Sequence, residues 1–173
     1  MAATYRVKAS NVVFGSGKSL LALWNGAGSA NVLKVNRIWL LNNQVGTAAG
    51  TGVIIELQIV LITAHTALNK ILPVKMVQTS AALDVNVACS SGATVTESSI
   101  FRRVSWSGDE PAQSELTTDT LQLIPSLNLV WDAGYVGSGL EPLTLNASQG
   151  VHVKCVTATT ATYMGDIIIE FTT

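Results

Sequence analysis

Charge is scarce in this chain. Asp, Glu, Lys and Arg make up 12% of its 173 residues, about half the usual share of roughly 25% for a soluble domain. The net charge is −1, which leaves no basic footprint for nucleic acid, and no nucleic-acid partner is expected. Long apolar runs are also missing. None approaches the roughly 18 residues of a membrane-spanning helix, so no membrane partner is expected. Met1 to Lys8 lack a basic segment followed by an apolar one, so no secretory signal is expected there. Helical periodicity is nearly absent, and with it the βαβ alternation of α/β enzymes.

Residues with versatile chemistry are few. The two cysteines, Cys89 and Cys155, form no metal-binding motif. Cys89 shares strand parity with Val85 and Val87, and Cys155 with Val151 and Val153. Both are therefore expected on an apolar face as buried thiols. A disulfide between them needs a Cα separation of at most about 7 Å, which spacing alone leaves open. The two histidines are His65 and His152. His65 falls in an expected loop. His152 lies three residues from Cys155, hence on the opposite strand face, so the two form no nucleophile–base pair. It shares the outer face with Lys154 and is expected to be solvated. Gly15-Ser16-Gly17-Lys18-Ser19 has the ending of a phosphate loop, but Val12 stands where the pattern needs glycine. A strand-like run, Leu20 to Trp24, follows where it needs a helix. Asp109, Glu110, Glu115 and Asp119 match no calcium-loop spacing and are taken as a solvated acidic segment. Asn146-Ala147-Ser148 fits a glycosylation sequon and is read as a turn. No metal, cofactor or catalytic constellation is expected.

What remains is rich in Thr, Ser, Asn, Ala, Gly and Val, with strand signals separated by turn clusters. Tyr5 to Lys8 is a short edge strand. Ser19 to Trp24 and Val32 to Leu41 follow. In the latter, Arg37 shares parity with Leu33, Val35, Trp39 and Leu41, a conflict that a β-bulge resolves. Val53 to Ile62 is the clearest strand. Val53, Ile55, Leu57, Ile59 and Leu61 form one apolar face, whereas Ile54, Glu56, Gln58, Val60 and Ile62 form a mixed face covered by a second layer or another subunit. Ala64 to Asn69 allows one helical turn. Leu72 to Val77, Val85 to Cys89, Ile100 to Trp106, Leu121 to Ile124, a stretch with Leu127, Leu129 and Trp131 inward, Leu143 to Leu145, Val151 to Val156 and Asp166 to Thr172 complete the set. About ten short strands at this spacing indicate an all-β, antiparallel β-sandwich of jelly-roll type.

Ile100 to Trp106 places Arg102 on the same face as Ile100, Val104 and Trp106. Such a charge is either paired internally, with Glu97 or Glu110 as acids, or placed in a subunit contact, where Arg and Trp are favoured. With the mixed face of Val53 to Ile62, this makes Arg102, Trp106, Glu56 and Gln58 candidate interface residues.

Phe101-Arg102-Arg103-Val104-Ser105-Trp106-Ser107-Gly108-Asp109-Glu110-Pro111, Leu129-Val130-Trp131-Asp132-Ala133-Gly134-Tyr135, Pro142-Leu143-Thr144-Leu145 with Gln149-Gly150-Val151, and the ending Asp166 to Thr172 together resemble small β-rich structural proteins of tailed bacteriophages. The likeness runs from about Val32 onward and carries no active-site residues. It implies a virion component at the capsid surface, made in the host cytoplasm. Specifically, it implies a jelly-roll decoration (cement) protein that binds the major capsid protein and its own copies, with a trimer favoured. In that reading, residues 1–30 form an N-terminal arm with the first strands and 31–173 the sandwich, and Tyr5 and Arg6 of the arm join the candidate interface. The alternative is a receptor- or carbohydrate-binding head of a fibre, for which Tyr135 and Tyr163 are the available loop aromatics. An enzyme on this scaffold is disfavoured by the lack of a histidine cluster.

Overall fold

A computed structural model describes residues 3–42, 53–108, 127–133, 141–157 and 164–173. The acidic segment with Glu110, Leu121 to Ile124, and both Tyr135 and Tyr163 lie outside the described residues. Among these residues are twelve strands: β1 (Thr4–Val13), β2 (Ser19–Asn25), β3 (Leu33–Asn42), β4 (Val53–Thr66), β5 (Asn69–Lys70), β6 (Val74–Lys75), β7 (Val87–Ser91), β8 (Thr94–Gly108), β9 (Leu127–Asp132), β10 (Leu143–Leu145), β11 (Gln149–Cys155) and β12 (Met164–Thr172).

The pairings are nested. β1 pairs β12, β2 pairs β11, β3 pairs β9 and β10, and β4 pairs β8, all antiparallel. Successive pairs fall in alternate sheets. The first sheet runs β10-β3-β12-β1-β6 with β9 also on β3, and the second runs β5-β7-β2-β11-β4-β8. A ribbon of antiparallel pairs rolled so that neighbours alternate between two layers is the jelly roll expected from the strand pattern. Its core lies between the sheets and includes Tyr5, Val7, Leu21, Leu23, Ile55, Leu57, Ile59, Val151, Val153, Ile167, Ile169 and Phe171. Period-two alternation delivers these side chains to one face of each strand.

Bulges adjust the phase where the alternation fails. In β3 the register with β12 shifts between Val35 and Arg37. Leu33 and Val35 point inward before the shift and Ile38 and Leu40 after it, which leaves Arg37 outside, as the parity conflict required. In β1 the shift falls between Ala9 and Val12. Asn11 takes a left-handed φ of 52° there, a conformation that Asn tolerates better than most residues. Its N–H donates to Asp166 Oδ1 at 2.8 Å.

Several expectations need correction. Tyr5 to Lys8 is not a short edge strand. β1 has ten residues and lies between β12 and the two-residue β6. Tyr5 is 1% exposed and stacks on Phe171 at 5.5 Å between centroids. Its hydroxyl donates to the Ala81 carbonyl at 2.6 Å. The N-terminal segment is thus a core strand rather than an arm, because Tyr5, Val7 and Ala9 alternate into the core. Ala64 to Asn69 makes no helical turn, since pairing with β8 carries β4 to Thr66. Leu72 to Val77 keeps only Val74–Lys75 as strand, and Val85 lies in a turn before β7, where Asp84 accepts from Asn86 N–H. The glycine run after β1 is a turn, with Lys18 N–H on Gly15 C=O and Gly17 N–H on Cys155 C=O.

Position 150 depends on glycine. At Gly150 of β11 an added Cβ would meet the Leu23 carbonyl at 2.6 Å, Trp24 at 2.8 Å and Ile62 at 2.9 Å. The gap lets the Trp24 ring cross β11 toward Ile62.

Both cysteines are buried and free. Burial pushes the Cys89 thiol up to about 12 and raises Cys155, so neither forms thiolate readily. Neither is expected to react with a disulfide reagent within minutes in native buffer, whereas both should in denaturant; fast native labelling of either would contradict the assigned strand phases. Deleting residues 1–8 removes Tyr5 and Val7 from the core, at a cost of about 5 kcal/mol or more. That is a large part of the stability of a typical domain. The truncated chain is expected to lose its cooperative thermal transition by circular dichroism.

Candidate interaction surfaces

The outer face of the first sheet carries a row of alternating charges. Arg6 on β1 stands opposite Glu170 on β12, Glu170 opposite Arg37 on β3, and Arg37 opposite Asp132 on β9. The row closes by Arg6 Nη2–Glu170 Oε2 and Arg37 Nε–Asp132 Oδ1 contacts, both 3.3 Å. Lys8 Nζ reaches Asp166 Oδ2 at 2.6 Å nearby. Trp39 sits beside this row, with the Arg6 guanidinium 5.5 Å and the Arg37 guanidinium 5.9 Å from its ring centroid. Opposite charges directly across strands stabilise a sheet, and a guanidinium over an indole adds to this. The face is polar and nearly neutral. Arg6, one of the candidate interface residues, lies on this face. Trp39 and Arg37 went unremarked as a site, because nothing in the sequence says which strands are neighbours.

Part of the outer face of the second sheet is covered by the chain itself. Past Ile62, β4 leaves β11 and continues with β8 alone. There the His65 ring stacks with Trp24 of β2, centroids 6.2 Å apart, and His65 Nε2 lies 2.8 Å from Ser90 Oγ of β7. Val60, Ile62, Ala22, Ser90 and His152 are all buried beneath. His152 is 1% exposed, which overturns its expected solvation. Parity placed it on the correct face, but parity does not show what lies over that face. A register shift at Leu20 turns Ser19 outward, and Ser19 Oγ shares a hydrogen bond with His152 Nδ1 at 3.1 Å. His152 Nε2 faces Glu97 Oε1 at 3.6 Å, whose carboxylate accepts from Lys154 Nζ at 2.8 Å and 3.1 Å. Glu97 is therefore engaged with β11 and not with Arg102. With Ser19 and Ser90 also buried, neither Ser–His pair offers a substrate its oxygen. Among the described residues no group of three or more His, Cys, Asp or Glu is placed to hold a metal ion.

The candidate residues on β4 and β8 separate. Gln58 is 6% exposed and donates to Glu56 Oε1 at 3.0 Å. Glu56 is half-buried and faces Arg103 Nη1 at 3.8 Å. Arg102 is exposed on β8 opposite Ile59. The backbone of Trp106 pairs with Ile55. A bulge at Phe101 divides the single face expected for Ile100, Arg102, Val104 and Trp106, because Ile59 pairs Arg102 and Val60 pairs Ile100. The Phe101 ring meets Trp131 of β9 edge-on at 4.9 Å. Tyr5, in the core, is withdrawn from the surface.

Val32, Ile100 and Phe101 are exposed singly, whereas six further exposed apolar side chains lie on the connection from β4 to β7. Leu68, Leu72, Val74, Met76, Val77 and Val85 are all exposed. Comparison with protein-family models, with curated proteins and with solved structures finds no match.

Burial holds His152 neutral, with its pKa lowered from 6.5 to about 4; Glu97 opposes that shift and Lys154 adds to it. The unfolded chain protonates this histidine below about pH 6.5, whereas the folded chain resists until about pH 4. The stability from the neutral ring is full above pH 6.5 and is lost as pH falls toward 4, by at most about 3 kcal/mol. In urea titrations, His152→Gln is expected to lose less unfolding free energy between pH 7 and pH 4.5 than the wild type; equal losses would show that His152 does not titrate with folding.

Proposed function

We propose that this chain is a structural protein of a virion, a capsid decoration protein that binds the major capsid protein and its own copies at the capsid surface. The observation that carries this reading is the contrast between interior and surface. The titratable His152 and both thiols are enclosed, while a run of large apolar side chains stays exposed on one connection. Surfaces of this kind mark sites of protein–protein contact. The jelly roll itself is shared by capsid proteins, lectins and cupins, so it supports the reading only by analogy. The resemblance of Phe101 to Pro111 and of the C-terminal strand to phage structural proteins adds the virion context.

A decoration protein acts by burying surface across capsid subunits, roughly 1,200 Å² or more per contact. Repetition over a lattice turns modest affinity into large resistance to disruption. One observation favours a second reading. Trp39, flanked by Arg6 and Arg37 on the flat face of the first sheet, has the aromatic and polar groups that a glycan-binding head would use.

The protein is expected to copurify with intact particles in stoichiometric amount. Particles stripped of it should break at lower temperature than decorated ones, and adding it back should restore them. Equal robustness of stripped and decorated particles, together with glycan binding that is lost in Trp39→Ala, would favour the fibre-head reading instead.

A further inference from the structure

The connection from β4 to β7 is an insertion in the roll, and its course is informative. β5 adds to β7 at one edge of the second sheet, and β6 adds to β1 at the edge of the first. β1 also contacts β7 across the sandwich, so residues 68–85 form a strap over one open side. The strap is well anchored. Ile71 N–H donates to Cys89 C=O at 2.9 Å, Met76 N–H to Thr4 C=O at 2.9 Å, and Tyr5 Oη to Ala81 C=O at 2.6 Å.

An anchored strap over a core would normally turn its apolar residues inward and its polar ones outward. Here Ile71 and Leu83 pack on the core, but Leu68, Leu72, Val74, Met76, Val77 and Val85 face out. Leu72 is 87% exposed and Val85 95%. The charged residues of the strap are Lys70, Lys75 and Asp84. Lys75 Nζ donates to the Ser80 carbonyl, and the Asp84 carboxylate accepts from Ser29, Ala30 and Asn86. Lys70 and the polar Asn69, Gln78 and Thr79 are also exposed, so the outward surface is largely apolar and carries little charge. Six such side chains present on the order of 600 Å², the upper end of the largest apolar patch on a typical monomer. That approaches the roughly 800 Å² each partner gives to a standard interface.

We propose that the strap is the surface through which copies of this chain associate. The scarcity of charge points to the occupant. A surface that meets its own copy around a symmetry axis brings like residues together, so charges there repel while apolar side chains match. Interfaces between identical subunits are accordingly more apolar than those between different proteins. β5 and β6 have two residues each, too short for an extended backbone ladder, so the contact is made by side chains. In a trimer, the three straps converge on the axis. This assignment rests on the self-association included in the proposed function and replaces Arg102, Glu56 and Gln58 as the residues that mediate it.

Sedimentation velocity of the full chain from about 1 to 100 µM tests the assignment, with the double variant Leu72→Asp/Val85→Asp and the control Arg102→Glu alongside. Both strap positions are almost fully exposed, so a cooperative thermal transition checks that the double variant folds. Single variants Leu72→Ser and Val85→Ser serve if it does not. The wild type and Arg102→Glu are expected to sediment as the same oligomer, and the strap variants as monomers or with an association constant at least about tenfold weaker. A folded strap variant that remains as oligomeric as the wild type would overturn the strap assignment while leaving self-association intact. A wild type that is monomeric throughout would overturn both, without bearing on attachment to particles.

Discussion

The structure depends on one long-range pairing, that of β1 with β12. Eight register positions join the first strand to the last, from Thr4 opposite Thr172 to Val13 opposite Met164. This pairing puts residues from the two ends of the described chain in the middle of one sheet, and every later pair of the roll nests inside it. Tyr5 and Phe171 stack where the pair meets the core. Loop closure over such a span is entropically costly, so the pair forms only when the layers beneath it are packed. The N-terminal strand is therefore bound to the integrity of the sandwich and is not available as a detachable tether.

A rolled sandwich leaves two open sides, and the chain closes each differently. On one, Phe101 at a bulge of β8 meets Trp131 of β9 edge to face. On the other, the strap from Leu68 to Val85 adds β6 to one sheet and β7 with β5 to the other. The end of β4 continues past β11, where His65 stacks on Trp24, and the Trp24 ring sits in the space left by Gly150. Among the described residues, two surfaces differ in character: a paired-charge face around Trp39 and a largely apolar strap. The charges of the first are paired within the chain, whereas the apolar side chains of the second are left exposed.

The fold was largely readable from the sequence because alternation with period two survives in nearly every long strand. Ile55 to Ile62, Asp166 to Thr172 and both cysteines took the faces that parity assigned, and the misplaced Arg37 announced a bulge at Asn36. The failures share a cause. Parity states which residues share a face but not what covers it, so Tyr5 appeared available, His152 appeared solvated, and Gln58 appeared open to a partner. All three are enclosed by segments distant in sequence. Two-residue strands such as β5 and β6 carry no periodicity at all. The sequence marked Arg102, Glu56, Gln58 and Arg6, but not the Arg6–Trp39–Arg37 cluster, which exists only through the order β1-β12-β3. The exposed apolar strap looked like ordinary strand in sequence, since Leu72 to Val77 has the composition of a buried one.

Hydrogen–deuterium exchange of the free protein, resolved to the peptides that span β1 and β12, addresses the central pairing most directly. Amides of Val7 and Ala9 should exchange as slowly as those of Ile167 and Ile169, all at the rate of global unfolding. Exchange of the β1 amides near the intrinsic rate, while β12 stays protected, would mean that the N-terminal segment is an arm after all and that the roll closes without it.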